Sequence, residues 1–475
     1  MSHAILELAS LGVALGVAVA VALLAAASRR HPWVVLGPLT AIIVFTPQTG
    51  GTSVSLHGYA ITPVDAVGVV AAVSAAAGFS NLRRNLMGAG WPLLVFLLMT
   101  ALSLGLGLRR YETGAVLDAQ TYLMVVFIGA YAASLPRAQA SRIIQRWLRL
   151  TALALSFLAV YNIARHGLGD ASTGYYAPNG SFISSRPLDG EQAVVVAAAF
   201  LFEARRWSGS RRGLLPLTAF TIAIVISQQR TVWIALICAL AVLAPLVSIK
   251  YTARALVGAA GVAAMGLLVL AATSSADRFE SDLKTSISSV SLTSGTGGDR
   301  ADTSRVLISQ AFHEGAPTVI LGSPFGSGYA REAEANRLEN FNPHNAYTQT
   351  FLRTGLIGLL AVVGLLGAML RPGVRAFGRL QPALVTLIAV FSLGYPFPLE
   401  LAPVIGALLV REPSLDGRPR DRPEIAVDDC RPDRQDGIEL PAGSDRARHG
   451  GVDEKPPVRV PSVGSKAAQG RSAFE

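Results

Sequence analysis

The sequence predicts an all-α fold: a polytopic transmembrane helical bundle of about 12 to 13 helices with one long, partly helical extracytoplasmic loop. Of its 475 residues, 51% are hydrophobic and only 15% are charged. Apolar runs of membrane-spanning length recur along most of the chain, and short basic clusters occupy every second loop between them. Because a typical soluble domain has about a quarter charged residues, the bilayer is the expected solvent.

The composition also excludes several functional classes. The net charge of +10 comes from short clusters of Lys and Arg without interleaved aromatic residues, so no nucleic-acid partner is expected. The cysteines, Cys238 in an apolar run and Cys430 in a polar tail, offer neither a disulfide framework nor a metal cluster. We therefore expect no cofactor and no metal. The opening MSHAILELAS has no basic region before its apolar run, which indicates a first spanning helix rather than a cleaved signal.

The individual spans follow from length, since a helix needs roughly 17–25 mostly apolar residues to cross a bilayer. The predicted spans are residues 5–27, 32–47, 63–80, 91–108, 116–134, 148–164, 189–203, 214–227, 231–248, 255–273, 346–370, 380–394 and 397–411. The last two can alternatively form a re-entrant hairpin, which would leave about twelve spans.

Basic loops orient these spans, because loops rich in Lys and Arg stay on the cytoplasmic side. Every second loop is basic: Arg29 and Arg30; Arg83 and Arg84; Arg137, Arg142, Arg146 and Arg149; Arg205, Arg206, Arg211 and Arg212; Lys250 and Arg254; Arg371, Arg375 and Arg379. Four regions result: N-terminal transmembrane helices in 1–273, a large extracytoplasmic loop in 274–345, C-terminal transmembrane helices in 346–411, and a tail in 412–475. The Pro-, Gly-, Arg- and Asp-rich tail is predicted to be disordered and cytoplasmic.

Ionisable residues within the apolar runs lie near the predicted outer ends. Asp65, Asp118, Glu191 and Glu400 each begin a helix that starts outside, and Arg230 lies in the outer turn SQQRTVWIAL. Transporters usually hold their substrate near the midplane of the bilayer. The distribution therefore favours chemistry at the outer surface, although charges at helix ends can also simply reach interfacial water.

Two parts of the outer loop are predicted to be ordered. The segment DTSRVLISQAF has helical spacing of apolar residues, with Asp302, Thr303 or Ser304 as the cap. It is followed by LGSPFGSGYAR, a Gly-rich turn whose backbone N–H groups can approach an anion. The preceding SISSVSLTSGTGGD is Ser/Gly-rich and is predicted to be flexible.

The stretch FNPHNAYTQTFLRTGLIGLL is the most informative one in the chain. With Asn342 as the cap and Pro343 as the first helical residue, His344 falls in the first turn of a membrane helix. The positive end of the helix dipole favours the neutral imidazole that a general base needs. Asn345, Gln349 and Arg353 follow at helical spacing, and such a polar stripe must face protein or a wet cavity.

These motifs resemble the O-antigen ligase and polymerase-like membrane glycosyltransferases. The resemblance rests, in order, on the arginine of SQQRTVWIAL, the arginine of DTSRVLISQAF, the Gly-rich LGSPFGSGYAR, and PHNAYTQTFLRTGLIG. It covers residues 190–411, and the His-Asn pair followed by an aromatic residue and a Gly-x-x-Gly helix is its most specific part. One difference is Arg353–Thr354, where many members carry an acidic residue before the glycine.

The resemblance implies a multi-pass enzyme of the bacterial cytoplasmic membrane with its active face outside. Its donor would be a polyprenyl-diphosphate-linked glycan, its acceptor a glycan or a lipid-borne glycan, and it would need no metal or nucleotide sugar. His344 would be the catalytic base. Arg230 and Arg305 would bind the diphosphate, since guanidinium groups bind phosphate oxygens bidentately. Arg331, Asn345 and Tyr347 are possible substrate contacts.

Other interpretations remain open at this point. His344 can be an interfacial or capping residue, Arg230 can reach interfacial water, and Arg305 can pair with Asp302 or Asp299. The helix count alone also fits a permease or an exporter of lipid-linked glycans, which would form no covalent bond. A membrane scaffold would depend on the tail after Arg411. The residues do not separate ligase from polymerase, because both reactions need the same base and cations.

Overall fold

The computed structural model describes residues 2–49, 54–56, 59–166, 174–176, 182–184, 186–206, 211–246, 296–333, 337–340, 343–371 and 377–410. All of these lie in the first of two units into which the chain divides, Met1–Leu415. The span predicted at 255–273 and the predicted tail at 412–475 lie outside the described residues, as does Cys430.

Helices make up most of the described chain. The first ten are α1 Ser2–Arg30, α2 Trp33–Thr49, α3 Pro63–Ala77, α4 Phe79–Leu86, α5 Gly90–Tyr111, α6 Thr113–Ser134, α7 Arg137–His166, α8 Gly190–Arg206, α9 Arg211–Ile226 and α10 Arg230–Leu243. The later ones are α11 Thr296–Glu314, α12 Ala316–Leu321, α13 Ala346–Met369, α14 Gln381–Phe391 and α15 Ala402–Leu408, with 3₁₀ turns at Gly378–Leu380 and Leu399–Leu401.

The all-α membrane class is confirmed, and each predicted span within the described residues coincides with a helix. Among the described residues, four helical segments, in α5, α6, α7 and α13, are long and apolar enough to cross a membrane alone, and two bent pairs raise this number to six. Four further apolar helices have only 10–17 residues. Together with these shorter apolar helices, the four to six candidate spans agree with the predicted all-α polytopic bundle.

Sharp bends separate two pairs of helices. Segments of α1 and α2 meet at 103°, and α3 and α4 meet at 85°. Pro32 lies at the first bend and Gly78 at the second, and both residue types interrupt regular helices. The spans predicted at 5–27 and 32–47 thus belong to one bent pair of helices, and the span predicted at 63–80 ends at the second bend.

The core surrounds α8. Almost every residue from Gln192 to Ala204 is buried, although the helix carries Glu203. It packs against α7 and α9. By contrast, α5 exposes Trp91, Leu98 and other large apolar side chains along one side. Such exposed apolar surface is expected where a helix faces lipid.

Three antiparallel hairpins are described in the connections between helices. These hairpins were not predicted from the sequence. They pair Val54–Leu56 with Tyr59–Ile61, Gly174–Tyr176 with Phe182–Ser184, and Ala330–Ala333 with Arg337–Asn340. All three fall in loops that the charge pattern predicts on the outer side.

The described part of the outer loop is ordered by packing on α13. Leu307 and Ala311 of α11 join one buried cluster with Tyr329, Phe351 and Leu352. The predicted helix is present, but it begins at Thr296 rather than at a cap near Asp302. The last four residues of the segment predicted to be flexible are therefore helical, because α11 extends by almost two turns.

Candidate functional site

The segment 343–345 leads into α13 and differs in detail from the prediction. The helix begins at Ala346 with Asn345 as its cap, and the side-chain oxygen of Asn345 accepts bonds from the N–H groups of Tyr347 (2.9 Å) and Thr348 (3.1 Å). The prediction of Asn342 as the cap was wrong, because Asn345 satisfies the orphan N–H groups of the first turn instead. His344 consequently lies just before the helix, still near its positive end.

A turn after α14 fixes this helix start in place. The N–H of Ala346 donates to the carbonyl oxygens of Ser392 (3.0 Å) and Tyr395 (3.1 Å). Gln349, one turn further on, donates its side-chain N–H to the carbonyl of Pro343 at 2.6 Å. The backbone on both sides of His344 is thus held by hydrogen bonds, which limits where the imidazole can lie.

Arg300 of α11 lies beside the same turn. Its guanidinium donates to the carbonyl oxygen of Gly394 at 2.9 Å, and its Cζ lies 5.2 Å from the ring centre of Tyr395. Both partners are neutral, so the arginine keeps its full charge. Arg300 was not among the predicted site residues, because it lies outside the motifs that carry the resemblance.

Gln229 connects two further arginines to this turn. Its side-chain oxygen accepts from the hydroxyl of Tyr395 (2.9 Å) and from Arg186 (3.3 Å), and its amide nitrogen donates to the carbonyl of Leu188 (3.0 Å). Arg230, the next residue, begins α10 and lies near enough to Arg186 for their charges to act on each other. Arg186, Arg230 and Arg300, with His344 and Tyr395, form what we call the outer cluster.

The outer cluster sets the protonation of His344. Burial lowers the pKa of His344 below its ordinary value of 6.5, and the nearby charge of Arg300 lowers it further. Both effects disfavour the imidazolium. Burial, the larger cause, and Arg300 therefore both favour the uncharged imidazole, which can accept a proton.

Three carboxyl groups, those of Asp189, Glu191 and Glu400, lie at or near the start of α8. Asp189 caps α8 by accepting from the N–H of Gln192 at 2.7 Å. The carboxyl groups of Glu191 and Glu400 lie close enough to each other to interact electrostatically. Gly190 packs against the ring of Tyr395 so closely that an added Cβ would lie 2.3 Å from its Cζ. This contact holds the start of α8 against Tyr395 of the outer cluster.

The other predicted site residues have different surroundings. Arg305 is exposed and lines an open cavity of about 790 Å³ together with Asp302, His313 and Glu314. It lies outside the outer cluster. The backbone of Arg331 pairs with Glu339 in the third hairpin, and its side chain is outside what the structure describes.

The two predicted contacts on α13 already have internal partners. The side chain of Asn345 forms the cap, and the hydroxyl of Tyr347 donates to the carbonyl of Ala389 at 2.9 Å. The Tyr347 ring lies edge-on to Phe397, with 6.4 Å between the ring centres. Both residues thus help to position the segment that carries His344.

The Gly-rich turn does bind an anion, but the anion belongs to the protein. The N–H of Gly326 donates to the carboxylate of Asp118 at 2.8 Å, and the hydroxyl of Tyr329 donates to it at 3.2 Å. Arg353, only 1% exposed, pairs with the same carboxylate at 2.7 Å and donates to the carbonyl of Gly328 at 2.9 Å. The polar stripe on α13 therefore faces protein, as predicted, and Arg353 attaches the outer loop to the helices.

No group of three or more His, Cys, Asp or Glu side chains that could hold a metal ion is found among the described residues. The cations that the site offers to a ligand are the guanidinium groups of the outer cluster.

Comparison with known proteins supports an O-antigen ligase-like family. Residues 215–363 match the family model described as O-antigen ligase, a segment that includes Arg230, Arg300 and His344. The match supports an O-antigen ligase- or polymerase-like function in general. No curated protein matches the chain.

Proposed function

From the match of residues 215–363 to the O-antigen ligases, we propose that the chain transfers or polymerises polyprenyl-diphosphate-linked glycans on the extracytoplasmic face of the bacterial cytoplasmic membrane. The observation that carries the proposal is the geometry of the outer cluster. A half-buried neutral histidine lies beside Arg300, and Arg186 and Arg230 approach the same turn from two other segments.

Transfer from a lipid diphosphate has two chemical requirements that these residues meet. His344 takes the proton of the acceptor hydroxyl as its oxygen attacks the anomeric carbon. The bond from that carbon to the diphosphate oxygen breaks, and the lipid diphosphate leaves with the bonding electron pair. Attack from the face opposite the leaving group inverts the anomeric centre, and the reaction needs neither a metal nor a cofactor.

The leaving group determines what the arginines do. Breaking the glycosidic bond adds negative charge to a diphosphate that is already anionic, and preorganised cations stabilise such a charge. Arg186 and Arg300 are held by a side-chain amide oxygen, a backbone carbonyl and an aromatic ring. We propose that Arg230 acts with these two on the diphosphate, and that Arg305 meets the substrate at the open cavity.

The experiment uses the purified full chain in lipid nanodiscs with a lipid-linked oligosaccharide donor and a glycan acceptor. We expect His344→Ala to abolish product and His31→Ala to preserve it. His31 is a control, because it is an exposed histidine between α1 and α2 that does not line the cavity of Arg305. Product formation by His344→Ala at the wild-type rate would contradict the mechanism.

Cells that lack the protein test the alternatives. Single repeat units left on the lipid identify a polymerase, and full-length chains left on the lipid identify a ligase. Transport of intact lipid-linked glycan by the purified protein, with no new glycosidic bond, would instead establish the permease or exporter.

A further inference from the structure

A second cationic site lies away from the outer cluster, among α2, α7 and α8. A cavity of about 500 Å³ is lined by four arginines, Arg142, Arg146, Arg149 and Arg206, together with Trp33, Gln139, Ile143 and Gln145. Three of the arginines come from α7 and the fourth from the end of α8. We propose that this cavity binds the phosphate headgroup of an anionic glycerophospholipid in the cytoplasmic leaflet.

The charges in this cavity are largely uncompensated by the protein. Arg149 pairs with the buried Glu203 at 3.3 Å, whereas in the described part of the chain no carboxylate pairs with Arg142, Arg146 or Arg206. Arg142 and Arg146 stand four residues apart on one helix, an arrangement in which like charges repel. A bound anion would relieve this repulsion, and guanidinium groups bind phosphate oxygens in pairs.

Hydrogen bonds and an ion pair hold together the helices that line the cavity. The fully buried Trp147 donates its indole N–H to the carbonyl of Leu36 (3.1 Å) and to the hydroxyl of Thr40 (2.9 Å), which ties α7 to α2. The pair of Arg149 with Glu203 ties α7 to α8. The positive-inside rule explains why arginines occur in this loop, but it does not require them to line one braced cavity.

The position fits a lipid headgroup. With 30 residues at about 1.5 Å per residue, α7 is about 45 Å long, whereas the hydrocarbon layer is about 30 Å thick. The first turns of α7, which carry Arg142 and Arg146, can therefore extend into the headgroup layer. Trp33 adds an aromatic side chain of the type that is enriched at this depth. The charge pattern places this end on the cytoplasmic side, where anionic lipids attract basic segments.

The test compares thermal unfolding in nanodiscs of phosphatidylcholine with unfolding in nanodiscs that contain equal parts of phosphatidylglycerol. We expect phosphatidylglycerol to raise the unfolding temperature of the wild type and to do much less for Arg142→Gln/Arg146→Gln. About fivefold weaker lipid binding per arginine, or about 25-fold for the double variant, is expected from the usual strength of such contacts. The control Arg83→Gln/Arg84→Gln removes two exposed arginines of α4 that do not line the cavity.

Each outcome decides the proposal. A shift retained by the control and lost by the double variant supports it, provided that the double variant unfolds cooperatively in phosphatidylcholine alone. If that variant does not fold, Arg206→Gln is measured in its place. Equal shifts in the wild type and the folded variant would overturn the proposal. So would an equal shift caused by inorganic phosphate in phosphatidylcholine, because the cavity would then bind free phosphate rather than lipid.

Discussion

The outer cluster and the Asp118–Arg353 pair both contain arginines, but the partners of these arginines differ in charge. Arg353 is buried and neutralised by Asp118 at 2.7 Å, with further bonds to the Gly-rich turn. Arg300 is held by the carbonyl of Gly394 and the ring of Tyr395, neither of which is charged. An arginine neutralised by a buried carboxylate stabilises the fold, whereas one held by neutral acceptors keeps its charge for a ligand.

The largest expected effect is on stability and concerns the Asp118–Arg353 pair. Arg353→Met leaves the Asp118 carboxylate, only 14% exposed, without its cation, which costs up to about 3–5 kcal/mol of unfolding free energy. Denaturant unfolding in detergent measures this loss. The double variant Asp118→Leu/Arg353→Met removes both charges and should recover part of it. If the double variant is no more stable than Arg353→Met, the pair is not the anchor of the outer loop.

In the outer cluster the main loss should be of activity. Arg300→Gln keeps hydrogen-bonding capacity but removes the charge, and we expect turnover to fall about 10²- to 10³-fold, as when one charge-stabilising donor is lost. The unfolding temperature should change little, because Arg300 has no charged partner among the described residues. Steady-state rates measured alongside unfolding separate this behaviour from that of Arg353→Met. A large loss of stability with normal turnover would show that Arg300, like Arg353, stabilises the fold rather than the reaction.

The pH profile sharpens the role of Arg300. Since burial and Arg300 both lower the pKa of His344, the histidine is neutral above its lowered pKa and becomes protonated as the pH falls through it. Activity should therefore fall on an acid limb below pH 6.5, the ordinary pKa of histidine. Arg300→Gln removes one of the two causes and should move that limb to higher pH. An acid limb at the same pH in both proteins would show that Arg300 does not act on His344.

Arg300 and Arg305 lie on the same helix and offer a matched pair. Arg305→Gln removes an exposed charge from an open cavity that also contains Asp302 and Glu314, so we expect a smaller loss of turnover than for Arg300→Gln. Raised salt should weaken donor binding in the wild type more than in Arg305→Gln. If Arg305→Gln loses more turnover than Arg300→Gln, the diphosphate binds at the cavity rather than at the outer cluster.

The smallest expected effect is that of Tyr395→Phe. The change removes the hydroxyl that donates to Gln229 at 2.9 Å but keeps the ring beside Arg300. The loss of one neutral hydrogen bond corresponds to about 0.5–1.5 kcal/mol, or up to about tenfold in turnover. Comparing donor KM with kcat shows whether the hydroxyl helps to position Arg186. No change in either constant would mean that the Tyr395 hydroxyl does not help to position Arg186.

The sequence by itself determined the class of fold and much of the site. Long apolar runs predicted helices at the correct places, because in a bilayer the backbone can satisfy its hydrogen bonds only within regular structure. The motif around His344 identified the helix start within a few residues and the polar stripe on α13. Arg230 was selected because a charge at the end of an apolar run is conspicuous.

The tertiary structure decided which charges meet. Asp118 and Arg353 are 235 positions apart, and no local pattern shows that the Gly-rich turn binds a carboxylate of the protein itself. Arg186 and Arg300 join the outer cluster only because Gln229 and the turn at Tyr395 bring three distant segments together. Helix lengths were also decided there, since bends at Pro32 and Gly78 redirect apolar runs that composition alone presents as full spans. Composition and local spacing determine which residues can be helical, whereas the partner of a charge depends on contacts between segments far apart in the chain.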